Sequence, residues 1–480
     1  MIQDNQSNKR TPICRWVVTA GLRLVTAAHF GGPNPDDRVD MILLRDLDSG
    51  NFMLPGASMA GALRSALNDV STGYRQSCIS STDHLFGGGR RDDDGDQSPL
   101  YVYDCICENA GSALRDGVAI SPEGIAKDRA KFDYEVIPAG ATFPLRFDLH
   151  VDRDGPSEEA LLSELFTALR LLEKGEIPLG AKKTRGLGRC LATNWRLRRF
   201  DLTTQKGWAE WLGFDARNQV NSFAMQPQES IEDAFKSSGR VPGVMNNDKR
   251  TFFSVSTDAI IDGSMLIRSA GSAPEDPDMA QLSENGHHIV PGTSIAGVLR
   301  SRCLRILKSM GTTDLLSEKI VREIFGTDQT ANMNYKGSAS RLRTMETAIT
   351  DGPVDLIINR IRIDRFTGGV VENALFDQKP VFGGKIHIEL RLFAPSSHEK
   401  GLLMLLFKDL ITGNIPIGGE SSIGRGRLKS GGKVDLLEMT QGKEIPDSWN
   451  PEEKAPLALQ ERLNSFVGDL KAYIAKEAMV

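Results

Sequence analysis

Apolar and polar positions along the chain predict one run of elements, and that run occurs twice. Residues 15–29 (RWVVTAGLRLVTAAH) mix β-branched and apolar side chains over at least a strand's length. Leu54-Pro55-Gly56-Ala57-Ser58 then leads into MAGALRSALNDV, where Met59, Leu63 and Leu67 share one helical face and Ser58 is the expected N-cap. A strand is expected over 100–107, and the alternation in YEVIPAGATFPLRFDLHV (134–151) predicts one long strand. Residues 157–174 form the clearest helix. Leu162, Leu165, Phe166, Leu169 and Leu172 make its apolar stripe, Glu158 and Glu159 occupy the first turn, and Gly175 follows the end. A further strand spans 190–200. The order strand, helix, two strands, helix, strand is the split βαβ arrangement of an α+β, ferredoxin-like (RRM-like) domain.

The order restarts near residue 251. TFFSVSTDAIIDGSMLIRSA is the opening strand region, and Pro291-Gly292-Thr293-Ser294 opens a helix through SIAGVLRSRCLRIL. KIHIELRLF follows as a strand, and Ser396-Ser397-His398-Glu399 has the capping-box pattern before an apolar face of Leu403, Leu406, Phe407 and Leu410. Each half then carries a thirteen-residue glycine loop, IPLGAKKTRGLGR at 177–189 and IPIGGESSIGRGR at 415–427. The offsets Pro55 to Pro291 (236), Phe86 to Phe325 (239), Phe132 to Phe376 (244) and Pro178 to Pro416 (238) keep the landmarks in order. The chain is therefore a tandem duplication: a first domain over 1–200, a connector over 201–250, a second domain over 251–436, and a helical tail over 437–480.

Composition narrows the classes. With 40% apolar and 25% charged residues among 480, the chain reads as soluble and globular. A net charge of −5 excludes a polybasic nucleic-acid binder, so any nucleic-acid site is a local patch. No apolar run reaches a membrane span, and the N-terminal stretch is no signal peptide. Six scattered cysteines read as reduced thiols of a cytoplasmic protein, and Cys105-x-Cys107 is too tight for a zinc knuckle, so no stable metal site is expected. Residues 87–98 (GGGRRDDDGDQS) read as a surface insertion. The loop glycines Gly180, Gly186, Gly188, Gly418, Gly419, Gly424 and Gly426 free the backbone for close approach of its N–H groups to phosphate. Lys182, Lys183, Arg185, Arg189, Arg425 and Arg427 supply cations beside them.

The ordered set of PGASMAGALR or PGTSIAGVLR, then LFG or IFG, then a segment ending FDYEVIPAG or ALFDQKPVFGG, then the glycine loop, resembles the RAMP superfamily. Within it, the chain is similar to two fused copies of the backbone subunit of type III CRISPR effector complexes. The resemblance covers roughly residues 12–200 and 250–435. It implies a protein that stacks along a CRISPR guide RNA, beside other type III subunits, and binds it through the helix opened by Pro-Gly and the glycine loop. Thumb β-hairpins, about 115–132 and 360–376 here, would interrupt the guide–target duplex. Phosphate contacts hold without reading sequence, and base pairing specifies. Ser58, Arg64, Ser294 and Arg300, matched on the two Pro-Gly helices, are the expected guide contacts beside the loops.

The family also cleaves complementary target RNA with an aspartate in the loop before the Pro-Gly motif. Asp40-Met41-Ile42-Leu43-Leu44-Arg45-Asp46 matches that pattern through Asp40 and departs from it just after. In the second half the ungapped count from Pro291 gives Asp276, whereas local match pairs Asp278-Met279 with Asp40-Met41. That half has no Arg-Asp pair, which leaves an inactive second site as the alternative to a second cut. Asp36 and Asp37 read as solvated loop charges. One carboxylate orients a 2′-OH or helps hold a hydrated Mg²⁺, the implied cofactor. Two other readings stand beside this one. The first is a non-catalytic RNA-binding scaffold. The second is a guide-processing ribonuclease, for which a histidine or a tyrosine–lysine acid–base set beside a glycine loop is wanted; His29, His287 and His288 lie elsewhere in the sequence.

Overall fold

A computed structural model of the chain describes residues 11–33, 39–74, 83–88, 97–108, 110–121, 126–214, 226–243, 245, 248–269, 277–327 and 337–477. Asp36, Asp37, Asp276 and most of the 87–98 insertion lie outside these. In the first half, β1 (Pro12–Leu24), α1 (Gly56–Thr72), β2 (Leu100–Val102), β3 (Ala113–Ile120), β4 (Ala126–Val136), β5 (Thr142–Asp152), α2 (Glu158–Glu173) and β6 (Cys190–Asp201) follow one another. The sheet order is β2-β5-β1-β6, with every neighbour antiparallel. That is the ferredoxin-like order. Trp16, Val18 and Leu22 from one face of β1 pack with Leu63, Leu67, Leu165 and Phe166 of the two helices. Because successive strand residues alternate faces, Arg15, Val17 and Thr19 point away from the helices.

Two short helices, α3 (Gln205–Leu212) and α4 (Ile231–Ser237), belong to the connector. The second half repeats the plan with β7 (Thr251–Asp262), α5 (Gly292–Ser309), α6 (Asp314–Phe325), β8 (Leu342–Thr344), β9 (Ile358–Ile363), β10 (Val370–Lys379), β11 (Lys385–Phe393), α7 (Ser397–Ile411) and β12 (Arg427–Thr440). A further strand, β13 (Lys443–Trp449), extends the sheet to β8-β11-β7-β12-β13. The tail helix α8 (Leu457–Glu477) lies on α7 and gives Leu459, Phe466, Leu470 and Ile474 to the same core. Gly401 makes this possible, since a Cβ there would stand 2.3 Å from the Phe466 carbonyl oxygen. The hairpins β3–β4 and β9–β10 occupy the expected thumb positions. No described helix is long and apolar enough to cross a membrane.

Four stretches differ from expectation. The strand expected over 100–107 is two short pieces, Leu100–Val102 and Cys105–Ile106, paired in different sheets. The tail expected to be helical over 437–480 begins with the end of β12 and with β13, its helix starting only at Leu457. The stretch 134–151 is two strands, because the turn at Pro138–Gly140 sends the chain from the thumb back into the sheet; Gly140 takes φ 93° and its N–H donates to the Leu24 carbonyl. The helix α1 begins before Ser58. Pro55, extended at φ −63°, is its N-cap, and its carbonyl accepts from the Ser58 and Met59 N–H groups. Gly56 fits the first helical position because a Cβ there would meet the Val102 carbonyl at 2.1 Å. Pro291 and Gly292 open α5 the same way.

Candidate nucleic-acid interface

The two halves place one aspartate each in the same geometry. Asp40 is exposed and its Oδ2 accepts from the backbone N–H of Asp133 at 2.9 Å, while Met41 forms a parallel bridge with Tyr134. Asp278, equally exposed, accepts through Oδ2 from the N–H of Asp377 at 3.1 Å, and Met279 pairs in parallel with Gln378. Asp278 is thus the positional counterpart of Asp40. This fixes the rest of the register: Asp133 answers to Asp377, and across each hairpin Asp116 answers to Asn359 and Arg115 to Ile358. The Asp116 carboxyl hydrogen-bonds Asp133 and pushes the Asp133 carboxyl above the usual carboxylate range, helped by slight burial. The second half has no such carboxyl pair. The shared Phe-Asp of FDYE and FDQK was the signal in the sequence for Asp133 and Asp377.

The glycine loops have the same backbone in both halves. Lys182 (φ 53°) and Glu420 (φ 58°) are left-handed and lead into a single 3₁₀ turn that ends on Gly186 (φ 90°) and Gly424 (φ 93°). Apart from the exposed Gly424, their glycines serve packing rather than an open phosphate nest. A Cβ at Gly188 would stand 1.7 Å from the Leu179 carbonyl, and at Gly426 2.0 Å from that of Ile417. Gly180 and Gly418 press likewise on the carbonyls of His29 and Leu266. The N–H groups of Ala181, Gly188, Gly419 and Gly426 all donate to protein carbonyls. His29, distant in sequence, therefore lies against the first loop. It is buried, with Nδ1 2.7 Å from the Glu135 carbonyl, so its ring belongs to the core.

The cations divide into presented and committed groups. Lys183 and Arg427 are exposed, and Arg64, Arg189 and Arg300 are half-buried, with Arg300 Nη1 donating to the Gly326 carbonyl. Ser58 is exposed and Ser294 half-buried in the first turns of their helices. Arg425 is buried and paired with Glu420 at 3.0 Å. Lys182 has its ammonium 3.4 Å from the Tyr134 ring centroid and 4.3 Å from that of Phe132. Burial, with Arg115 nearby, lowers its pKa to about 8.

The first loop also joins the halves. Arg185 donates to the Phe325 carbonyl, and its own carbonyl lies where a Cβ on Gly292 would reach within 2.2 Å. Gly186 abuts the backbone of Met345 and Glu346. Beside it Arg115, 3% exposed, donates to Glu346 and Glu284, each 4% exposed, at 2.5 Å. The matching Gly424 has nothing within 4 Å, and Ile423 is exposed.

The sequence profile of the RAMP superfamily matches residues 22–191 and 260–429, more than half the chain in two copies. No curated protein matches the chain. The two profile matches coincide with the two ferredoxin-like sheets and their glycine loops, and so the chain belongs to the RAMP superfamily of CRISPR-associated RNA-binding subunits, one copy in each half.

Proposed function

We propose that this chain is a backbone subunit of a type III CRISPR RNA-targeting effector complex, binding guide RNA along both halves and cleaving the paired target RNA at Asp40 and Asp278. The observation behind this reading is the matched pair of aspartates. Each is exposed at the foot of a thumb hairpin and is held through one oxygen by a backbone N–H. The second oxygen of each has no hydrogen-bond partner among the described residues, so it is available to orient a 2′-OH and take its proton. Lys183, Arg189 and Arg427 on the loops, with Arg64 and Arg300 on the Pro-Gly helices, neutralise guide phosphates without reading bases.

The carboxylates suit a shared ion rather than a protein cage. Among the described residues no three acidic, histidine or cysteine side chains are arranged to enclose a metal. The single free carboxylate oxygen of Asp40 fits an Mg²⁺ that keeps most of its water and takes its other ligands from RNA phosphate. Such an ion supplies charge stabilisation at the scissile phosphate.

The test uses the co-expressed complex with guide RNA and an end-labelled complementary target. Cuts are mapped for wild type, Asp40→Ala, Asp276→Ala and Asp278→Ala, with and without Mg²⁺. The expected result is loss of one cut with Asp40→Ala and of a different one with Asp278→Ala, target binding being retained. Wild-type cutting by all three variants would make the chain a scaffold. Altered guide ends with unchanged target cuts would favour guide processing.

A further inference from the structure

The face of the first sheet that points away from α1 and α2 carries an organised strip of arginines and aromatic rings. Strand register places Arg146, Thr19 and Arg196 in one row, and Asp148, Val17 and Arg198 in the next. Asp148 is fully buried and accepts from Arg15 Nη2 at 2.7 Å, from Arg146 Nε and Nη2 at 2.9 and 3.0 Å, and from Tyr103 Oη at 3.1 Å. One saturated carboxylate therefore fixes two guanidinium groups and a phenol ring at the sheet surface. In the rows at Arg15, Val17 and Thr19 it is the sole acid.

The guanidinium groups lie on rings. Arg146 is 4.5 Å from the Tyr103 centroid, Arg15 is 3.7 Å from Trp211, and Arg198 is 4.8 and 5.2 Å from Phe200 and Phe214. Tyr101, 37% exposed, stacks on His150 at 4.4 Å. Arg196 is half-buried and has no partner among the described residues. Val17, Phe200 and Leu202 make a small apolar cluster on this face with Trp211 and Phe214, so the rings open to a ligand lie at the other end of the strip, at the exposed Tyr101 and the half-buried Tyr103.

We infer that this strip is a second nucleic-acid site, taking a single-stranded RNA segment independently of the aspartates and glycine loops. The chemistry selects that class of ligand. Flat guanidinium and aromatic surfaces accept bases by stacking, and the arginines neutralise the phosphates that alternate with them. A duplex hides its base faces, and an acidic protein surface would meet the charges but leave the rings unmatched. The charge is local, set against a chain that is −5 overall.

The test uses the full chain in its guide-loaded complex and a labelled oligouridylate of about 12 nucleotides that does not pair with the guide. Arg196→Glu combined with Arg198→Glu is expected to weaken binding by about tenfold or more and to flatten the salt dependence by about 0.7 for each phosphate no longer neutralised. Tyr101→Ala, which alters an exposed ring and leaves the Asp148 network intact, is expected to weaken it about fivefold. A 4-thiouridine version of the probe should cross-link within β2 or β6. Unchanged affinity in both variants, or cross-links confined to the two glycine loops, overturns the inference. So would unchanged oligonucleotide binding with loss of a co-purifying subunit, which marks a protein-docking face. Target cutting is read in parallel and is expected to persist, so failure here and failure of the nuclease assignment are separable.

Discussion

Replacing Arg115 by Met leaves two glutamates facing each other in the seam between the halves. Arg115 makes three hydrogen bonds there, to Glu346 Oε2 and Glu284 Oε2 at 2.5 Å and to Glu346 Oε1 at 3.1 Å, in a site where no side chain is more than 4% exposed. Removing one partner of such a buried set costs roughly 3–5 kcal/mol. For a domain of this size that is a fall in melting temperature of about 6–20 °C. The loss depends on pH with a definite sign. Burial pushes the Glu346 carboxyl above its ordinary range while Arg115 pulls it back. A raised folded pKa means stability is fully present below the unfolded pKa and is lost as pH rises through the folded one. Without Arg115 the pull is gone, so the deficit should be small near about pH 5 and full near about pH 8. Denaturant unfolding at both pH values measures this. Adding Glu284→Gln and Glu346→Gln to Arg115→Met should recover most of the loss, because the uncompensated charges go with them. A deficit below about 1 kcal/mol at the higher pH, or one equal at both, would refute the reasoning.

Other perturbations follow from the same contacts. Gly188→Ala should destabilise the first domain far more than Gly424→Ala does the second, since a Cβ meets the Leu179 carbonyl at 1.7 Å in one case and nothing in the other; melting of the two variants compares them, with about 1 kcal/mol of backbone strain expected at Gly424. Lys182 is charged below about 8 and its burial disfavours that charge, so the folded chain should gain stability as pH rises from about 8 towards 10.5, a gain that Lys182→Met removes. Asp148→Ala strands two guanidinium groups and a phenol, and should cost a few kcal/mol in denaturant unfolding. Truncation before α8 uncovers the α7 surface around Gly401 and should destabilise the second domain by several kcal/mol, read by urea unfolding.

Much of the plan was legible because the features that reveal it are local. The stripe from Leu162 to Leu172 needs only helical spacing to be read, and the capping box at Ser396 and Glu399 is present as written. The Pro-Gly pair marks a helix start, although Ser58 was the wrong cap: a proline with an extended backbone ends the preceding strand and supplies the first carbonyl itself. The break at Pro138–Gly140 was hidden because apolar alternation continues on both sides of the turn. The glycine loops were legible as a repeated motif but not in their role, since the carbonyls that Gly188 and Gly426 face are brought to them by the tertiary fold. Asp40 and Asp278 could be singled out by pattern, whereas their shared hydrogen bond to the thumb spans more than ninety residues and leaves no periodic trace.

The differences between the halves follow from position in the chain. Where a residue holds the fold, the copies agree: Pro55 and Pro291, Gly188 and Gly426, the aspartate held by a thumb N–H. Where a residue faces the seam, they diverge. Arg115 stands opposite Ile358 in the register, and Lys182 opposite Glu420. In the first half Arg115 locks onto Glu284 and Glu346 of the second, while the loop tip at Gly186 is sealed against the backbone of Met345 and Glu346. In the second half the corresponding loop turns inward on itself through Arg360, Glu420 and Arg425, and its tip at Ile423 and Gly424 stays exposed. The internal seam therefore has a charge pattern that the far end of the chain does not reproduce. A second copy of this chain placed end to end would meet Ile358 where the seam has a guanidinium, and would lack the ionic lock that orders the two halves within one chain.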